Sequence, residues 1–333
     1  MIRHIRVLAA AAVTLAGACL QAQGQACQGA AAARDACRKA IDLVNFVSPQ
    51  YAAALAGGNP TIAQSGTLGG LGHVAVVVRS THVSGSLPKI GDVGFTTGGE
   101  TKARYVSAST LIPALSVDVA FGLFRGFAAG SAHVLGVDGL LSATYMSALG
   151  TGSVDVELEG SNTNFGFGGR LGILEETDAL PGVALTYLKR DMPRFAVTGI
   201  TTVGNGTTTA PGTITGSSLL VTTSSYRLTT GKRFGRVDVS GGAGQDKYES
   251  SANVRGIVST TTPASTQSAT GVALLEMTRT NLFVGGALNV AFFKFVGEIG
   301  MATGGTSPTA TNEFGSNSAD ARTYFTLAIR IGF

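Results

Sequence analysis

The C-terminal stretch Ala319–Phe333, with the sequence ADARTYFTLAIRIGF, decides how the rest of the chain is interpreted. In an extended strand, successive side chains point to opposite faces. One face here carries Thr323, Phe325, Leu327, Ile329, Ile331 and Phe333, and the other carries Arg322, Tyr324, Thr326, Ala328, Arg330 and Gly332. A stripe that stays apolar up to its last residue must lie against something apolar, and lipid is the simplest candidate.

The composition extends this expectation to the whole chain. Only 13% of the 333 residues are charged, 44% are hydrophobic, 47 are glycine and the mean hydropathy is +0.28. Beyond the N-terminus, no stretch offers the ~18–20 uninterrupted apolar residues that a membrane helix needs. Backbone groups inside a membrane must be paired internally, so only helices and closed sheets span it. The sequence therefore predicts an all-β, transmembrane, up-and-down antiparallel β-barrel. A soluble β-sandwich or β-helix is the alternative, although its surface should carry more charge.

A terminal strand of alternating apolar residues that ends in Phe resembles the closing strand of Gram-negative outer-membrane β-barrels of the porin-like superfamily. In that family the ending is recognised by the barrel-insertion machinery. The resemblance implies an outer-membrane location and contact with outer-membrane lipid. It also implies an insertion signal formed by Phe325, Leu327, Ile329, Ile331 and Phe333. It implies an architecture and no particular activity.

The first residues have the pattern of a secretory signal peptide. Arg3 and Arg6 precede an apolar run from Val7 to Cys19, and small residues follow it. We expect a signal peptide of residues 1–22, with cleavage as late as residue 26. A lipoprotein signal at Cys19 is the alternative. Removing the two arginines lowers the formal net charge from +4 to +2, and no basic patch favours a nucleic-acid partner.

Two cysteines, Cys27 and Cys37, begin the next segment. In an oxidising compartment we expect a disulfide between them. The chain between them must then turn, because ten residues of straight helix would separate the Cα atoms by ~15 Å. From Cys37 onward, helical spacing of apolar residues predicts a short amphipathic helix that ends at Pro49, with Lys39 and Asp42 facing away. This helix is expected either to cap the barrel from the periplasm or to plug its lumen.

Residues 67–333 are predicted to form the barrel, after a periplasmic or lumenal helical segment of residues 23–66. Alternation of apolar and polar residues predicts about ten strands, within a range of eight to fourteen, in up-and-down hairpins. Short turns are expected near 125–132, 176–182, 230–236 and 292–294, and longer loops near 82–104, 147–162, 191–217, 250–270 and 303–319. Short turns on the periplasmic side would place both termini on that side.

Polar side chains on the second face of these strands are expected to line the lumen. The predicted lumen-facing residues are Arg79, Asp118, Asp138, Arg170, Arg190, Arg227, Asp238, Arg279, Lys294, Glu298, Arg322 and Arg330. Cations outnumber carboxylates eight to four in this set. The excess favours a narrow or gated pore for small solutes with a mild preference for anions. The alternative is an interior sealed by ion pairs, as in a structural surface barrel, because a barrel of about eight to ten strands is only just wide enough to be filled by its side chains.

A second resemblance concerns the junction between helix and barrel. The order of an N-terminal segment, the turn Gly58, Asn59 and Pro60, and a first strand is similar to the long-chain fatty acid transporter family. In that family an N-terminal hatch occupies the lumen and the substrates are hydrophobic. As an alternative to a pore, the resemblance implies transport of hydrophobic molecules past a plug.

Catalytic and metal-binding patterns are weak throughout the chain. Among the histidines, only His82, with Ser84 or Ser86 nearby, combines residue types that hydrolases use. A solvated loop histidine is the simpler interpretation, so a surface hydrolase is a remote alternative. Because the sequence has no Cys/His cluster and no phosphate-binding glycine loop, it predicts a non-enzymatic protein without cofactor or metal.

Overall fold

The computed structural model describes residues 26–59, 61–92, 94–146, 154–204, 209–261, 264–306 and 310–332. The predicted signal peptide, Pro60 of the predicted turn and Phe333 of the predicted insertion signal fall outside the described residues. Strands dominate the described chain, and one long helix precedes them.

Ten antiparallel strands form a closed ring, in which each strand pairs with its neighbours in the chain. The strands are β1 (Val74–Pro88), β2 (Ser107–Phe124), β3 (Gly136–Tyr145), β4 (Thr163–Leu174), β5 (Gly182–Asp191), β6 (Thr209–Phe234), β7 (Val237–Thr261), β8 (Ala264–Val290), β9 (Phe293–Thr303) and β10 (Arg322–Gly332). The ring closes where Ile329 of β10 pairs with Val78 of β1. The prediction of a barrel of about ten strands is therefore confirmed.

The two ends of the ring differ. At one end, which we call the turn end, short connections such as Gly235–Arg236 and Ala291–Phe292 join neighbouring strands. At the other end, which we call the loop end, β6, β7 and β8 extend as strands of 26, 25 and 27 residues. Two further strands, Val154–Leu158 and Phe195–Gly204, widen this extension beside β6.

Outward side chains of the ring form an apolar belt toward the turn end. On β2, Val117 is 44% exposed while its neighbour Asp118 is fully buried, and on β10 Ile329 is 46% exposed while Arg330 is 5% exposed. Other exposed members of the belt are Leu115, Leu141, Phe165, Phe167, Leu171, Leu185, Tyr226, Leu228, Val239, Val284, Leu288, Phe295, Ile299, Phe325 and Leu327. A closed ring with an apolar exterior is the architecture of an outer-membrane β-barrel.

Charged residues replace the belt toward the loop end. Along the outer face of β7, Val237 and Val239 give way to Lys247 and Glu249. The ammonium of Lys247 lies 2.9 Å from Oε1 of Glu249 and 2.9 Å from Oε1 of Glu276 on β8. Because such a charged group is favourable in water and costly in hydrocarbon, it marks the upper limit of the lipid-facing surface.

The long strands correct the prediction of loops near 191–217 and 250–270. The Ser, Thr and Gly content of these stretches favoured loops, but strand pairing continues through most of both. The reason lies on their inner faces, where Val254, Val258 and Ala269 are buried in the same apolar cluster as the helix. A strand with a packed inner face is stable well beyond the lipid-facing belt.

Helix α1 (Arg34–Ala56) lies inside the barrel, so the segment is a plug and not a cap. Of its 23 residues, 19 are buried, and it contacts β1, β2, β5, β6, β7, β8 and β10. At 1.5 Å per residue the helix is about 35 Å long. Within the described part of the chain, no helix combines the length and apolar character that a membrane crossing requires.

Two expectations about the helix are wrong. It continues past Pro49 to Ala56, because packing on all sides outweighs the lost backbone hydrogen bond, and Gln50 Nε2 donates to Phe46 O at 3.1 Å. Lys39 and Asp42 do not face solvent, since each is 1% exposed. Loops from the barrel cover both side chains.

The described chain begins and ends at opposite ends of the barrel. Gln28 pairs with Thr270, far along β8 toward the loop end, whereas Gly332 pairs with Ala75 at the turn end. This arrangement differs from the expectation that both termini lie on one side. The cause is the plug, which enters at the loop end and runs toward the turn end.

Candidate functional site

Three buried arginines of the wall hold the C-terminal end of α1. Arg79 Nη1 donates to Gly57 O at 2.7 Å, Arg190 Nη1 to Leu55 O at 2.9 Å, and Arg227 Nη2 to Ala56 O at 2.6 Å. The last carbonyls of a helix lack partners within the helix and carry its partial negative charge. These arginines, which come from β1, β5 and β6, satisfy both requirements.

Carboxylates on the wall balance this arginine cluster. Arg79 Nε lies 2.5 Å from Asp118 Oδ2, and Arg227 lies 3.7 Å from Asp246 and 3.6 Å from Glu298. The hydroxyl of Tyr324 donates to Asn281 Oδ1 at 3.0 Å and Asn281 Nδ2 donates to Asp246 at 2.8 Å. Much of the predicted surplus of lumen cations is thus neutralised by carboxylates and by the helix end. The C-terminal end of α1 and this network of buried side chains therefore occupy the middle of the barrel.

The chain after the helix fills the lumen toward the turn end. The backbone N–H of Leu68 donates to both oxygens of Asp138 at 3.1 Å, and Arg170 Nη2 donates to Gln64 O. Plug and wall lie very close together here, because a Cβ on Gly172 would lie 2.7 Å from Thr67 Cγ2. Glycine is required where plug and wall approach this closely.

Polar contacts anchor the other end of the plug. Asp35 Oδ2 lies 2.5 Å from Lys39 Nζ and accepts from Thr96 N at 2.9 Å, while Asp35 Oδ1 accepts from Thr101 N at 2.8 Å. The Cys27–Cys37 disulfide, with Cα atoms 6.1 Å apart, joins the helix to the residue before the short strand Gln28–Gly29, which pairs with β8. The plug is therefore tied to the wall at both ends.

Asp42 also joins the helix to a loop. Its Oδ2 accepts hydrogen bonds from Thr311 N and Asn312 N, both at 2.9 Å, and from Asn312 Nδ2 at 2.7 Å. Burial nevertheless raises the pKa of the Asp42 carboxyl, since desolvation outweighs these hydrogen bonds and the nearby Arg38.

Between α1 and the wall, near the loop end, lies an apolar cavity of about 440 Å³. Aliphatic side chains from the helix, β2, β6 and the two further strands line it, together with the methionines that directly follow β3 and β5: Leu43, Val44, Val47, Ile112, Ala114, Met146, Val156, Met192, Val197, Ile214 and Leu219. Tyr51 and Thr110 bring hydroxyl groups to the same lining. Such a lining suits a small apolar ligand.

Among the residues that the structure describes, the cavity meets an opening in the strand pairing of the wall, which we call the lateral gap. Among the described residues, β2 pairs with β3 only as far as Leu115, opposite Tyr145, and residues 107–114 of β2 pair with β1 alone. The strand Val154–Leu158 also has one free edge among the described residues. Pro113 has no N–H to donate and lies at this unpaired edge, as is usual for proline in sheets. Outward-facing Leu111 and Leu115, 56% and 44% exposed, are part of the cavity lining, so the cavity reaches the barrel exterior here.

The remaining predicted lumen residues lie at the two ends of the barrel. Arg279 donates to Gly304 O at 3.0 Å and to Asp320 O at 2.5 Å, and Arg322 donates to Asn317 O at 3.3 Å. These two arginines therefore support the connection between β9 and β10. At the turn end, Asp238 pairs with Lys294 at 2.9 Å and with Arg233 at 2.8 Å, and Arg330 lies beside them.

The candidate hydrolase histidine lies on the outer face of β1. His82 Nε2 lies 2.9 Å from Ser80 Oγ, not from Ser84 or Ser86, and its ring stacks on Phe325 with centroids 4.8 Å apart. In the described residues nothing holds the second ring nitrogen, so the pair lacks the group that orients a catalytic histidine. No group of three or more potential metal ligands occurs in the described chain.

Sequence reasoning did not find the cavity or the contacts of the helix start. The helical pattern predicted that Lys39 faces away from the packed side of the helix and gave Asp35 no role, although the two residues are opposite charges at i and i+4. The cavity residues come from parts of the chain up to 176 residues apart, between Leu43 and Leu219. No local pattern links such residues.

Comparisons with known proteins give a fold likeness only. No protein-family model and no curated protein matches the chain. Among solved structures, the transport unit of the autotransporter AIDA-I from Escherichia coli is 8% identical, with 88% of this chain and 99% of that chain covered and a TM-score of 0.36. The translocator domain of autotransporter NalP from Neisseria meningitidis is 9% identical, with 78% and 88% covered and a TM-score of 0.32. The Pseudomonas putida toluene transporter TodX is 10% identical, with 78% and 88% covered and a TM-score of 0.30. Likeness at this level concerns the shape of the barrel and carries no conclusion about function.

Proposed function

We propose that this chain is an outer-membrane channel for small apolar molecules, which bind between the plug and the wall. The location follows from the apolar belt around a closed ring, since a surface of this kind is stable only in lipid. The C-terminal strand, with Phe325, Leu327 and Ile329 in the belt, is expected to be the segment that the insertion machinery recognises.

The cavity is the observation that carries this proposal. Its volume of about 440 Å³ is about three times that of an engineered cavity of ~150 Å³ that binds benzene. The lining is aliphatic, with few hydroxyl groups, so desolvating an apolar ligand contributes most of the binding free energy. A charged solute would lose its hydration there without finding a partner.

The lateral gap supplies a path between cavity and membrane. Leu111, Pro113 and Leu115 extend the apolar lining from the cavity to the outer face of β2. We infer that a ligand enters or leaves the barrel through this gap and does not cross the occupied middle of the lumen as a hydrated ion would. An open, ion-conducting pore fits less well, because α1 and the arginine cluster occupy the lumen.

Binding of a fluorescent apolar probe to the refolded full chain tests the proposal. N-phenyl-1-naphthylamine, which brightens in apolar surroundings, is expected to bind saturably to the wild type. Ala114→Phe places a ring in the cavity and should weaken binding about tenfold or more, since it removes apolar contacts worth over 1.4 kcal/mol. The matched control is Ala143→Phe, because Ala143 lies on the outer face of neighbouring β3, outside the cavity lining.

The outcomes separate clearly. Equal probe affinity in the two variants would contradict the cavity as the binding site, provided that both resist SDS at room temperature as folded barrels do. Stable ionic conductance of the wild type in planar bilayers would contradict a sealed lumen and would favour a pore.

A non-enzymatic role is part of the same proposal. The His82–Ser80 pair offers a way to test it, since these are the residues in the described chain that most resemble a hydrolytic pair. We expect no ester hydrolysis by the refolded protein with a nitrophenyl ester of a fatty acid. Hydrolysis that His82→Ala abolishes, with probe binding unchanged, would contradict this expectation.

A further inference from the structure

A polar basin of about 680 Å³ opens at the turn end of the barrel, separate from the apolar cavity. The plug residues 63–68 form one side of it, and Lys294 and Arg330 line the wall. The basin lies below the arginine cluster that holds the helix. The contacts of Arg79, Arg190 and Arg227 with the helix end involve none of the charged residues that line this basin.

The lining of this basin carries four carboxylates, Glu175, Glu176, Asp178 and Asp238, and four cations, Lys232, Arg233, Lys294 and Arg330. Arg170, Arg233, Lys294 and Arg330 surround two carboxylates, Asp138 and Asp238. Asp238 is already shared between Lys294 and Arg233, and Asp138 accepts the backbone N–H of Leu68 through both oxygens. In the described structure, neither of these carboxylates forms a hydrogen bond with Arg330, although both lie close enough to interact with it electrostatically.

Arg330 is the least satisfied of these cations. It is 5% exposed, interacts electrostatically with Asp138 and Asp238, and donates no hydrogen bond to any described residue. Its Nη1 is buried without a partner, as are Nε and Nη1 of Arg170 nearby. A buried guanidinium without a hydrogen-bond acceptor costs free energy, and an oxyanion supplies the missing acceptors.

We propose that this basin binds a small oxyanion, a phosphate or a carboxylate, with Arg330 as its central hydrogen-bond donor and Lys294 as a second cation. The planar fork of Arg330 suits two oxygens of one anion. Acidic residues at the rim do not compete for Arg330. Glu175 lies 2.7 Å from His133 Nδ1, and Glu176 accepts the backbone N–H of Arg233 at 2.6 Å.

Isothermal titration of the refolded full chain with inorganic phosphate tests this site, in a zwitterionic detergent and a buffer of low ionic strength. A parallel titration with acetate distinguishes phosphate from carboxylate as the preferred ligand. We expect saturable binding by the wild type and a loss of about tenfold or more in Arg330→Met, which keeps length and removes the charged donor. The matched control is Arg236→Met, since Arg236 is an exposed turn-end arginine outside the basin lining.

Several outcomes would overturn the proposal. They are the absence of saturable binding of both anions by the wild type, equal weakening in Arg330→Met and Arg236→Met, and unchanged affinity in Arg330→Met. If Arg330→Met does not refold, Lys294→Met gives the same comparison, because Lys294 lines the basin. The proposal does not depend on the apolar cavity, so failure of probe binding there leaves it untouched.

Discussion

Arg227 on β6 donates to the carbonyl oxygen of Ala56, the last residue of α1, at 2.6 Å across 171 residues of chain. Arg227 therefore joins three features of the fold. It completes the helix end, faces the carboxylates of Asp246 and Glu298, and lies in the wall where a pore would otherwise run. Arg227, which the sequence pattern predicted to attract solute anions in the lumen, instead holds the end of the plug.

Removing the Arg227 guanidinium should loosen the plug. Arg227→Met leaves the Ala56 carbonyl without its donor and removes the cation described within 4 Å of the buried carboxylates Asp246 and Glu298, which is expected to cost about 3–5 kcal/mol. The measurement is guanidinium-induced unfolding followed by far-ultraviolet circular dichroism, together with planar-bilayer recording. We expect a lower unfolding midpoint and the appearance of ionic conductance. Arg236→Met, at an exposed turn, should leave both properties unchanged, and equal behaviour of the two variants would contradict this role of Arg227.

Gly256 on β7 marks where the plug presses most closely on the extended wall. A Cβ at this position would lie 2.5 Å from Cys37 N and 2.7 Å from Ala36 Cβ. Gly256→Val should displace the start of α1 and destabilise the plug by about 1–3 kcal/mol, as overpacking usually does. Faster amide hydrogen exchange in residues 34–40 would report the displacement.

A matched glycine is available in the neighbouring part of the ring. Gly297 on β9 has no atom within 4 Å of a built Cβ, so Gly297→Val adds the same side chain without a clash. Exchange in residues 34–40 should stay at the wild-type rate in this variant. If Gly256→Val also left hydrogen exchange in residues 34–40 at the wild-type rate, the close approach of plug and wall at that point would be refuted.

Asp42 predicts a pH dependence of the plug. Because burial raises the pKa of this carboxyl above its usual value of 3.8, the folded state prefers the protonated form. Between pH 3.8 and the raised pKa, the folded chain therefore binds more protons than the unfolded chain. The stability gained from protonating Asp42 is fully present below pH 3.8. It is lost as the pH rises through the raised pKa. The unfolding midpoint of the wild type should fall across this window relative to that of Asp42→Asn. Parallel pH profiles for the two proteins would contradict the assignment.

Most of the wall was predictable from the two-residue period. Val117 and Asp118, or Ile329 and Arg330, fall on opposite faces because a lipid-facing strand alternates strictly. This rule applies only where lipid covers one face. At residues 250–259 the outer face is mostly polar and the inner face packs on α1, so a regular strand there has a sequence that resembles a loop.

The candidate site was much less predictable. The plug's position depends on contacts such as Arg190 with Leu55, which no local pattern can indicate. Pro49 normally ends a helix, and only the interior of the barrel, invisible in the sequence, keeps α1 intact beyond it. The apolar cavity opens beside β2, where residues 107–114 have a strand partner on one side only among the described residues. The amino-acid composition of a strand does not indicate where its pairing with a neighbour stops.

The Cys27–Cys37 disulfide ties the start of the plug to the residue before the short strand Gln28–Gly29, which pairs with β8. In the unfolded chain it closes a loop of about ten residues, so its removal is expected to cost about 2–3 kcal/mol through the added conformational entropy. The cost should be local, because the barrel wall and the arginine cluster at the other end of α1 contain no cysteine. In the double variant Cys27→Ser and Cys37→Ser, we therefore expect faster hydrogen exchange in the first turns of α1 and unchanged exchange around Leu55 and Ala56. A plug that loosens evenly along its whole length would mean that the arginine cluster does not anchor the helix independently of the disulfide.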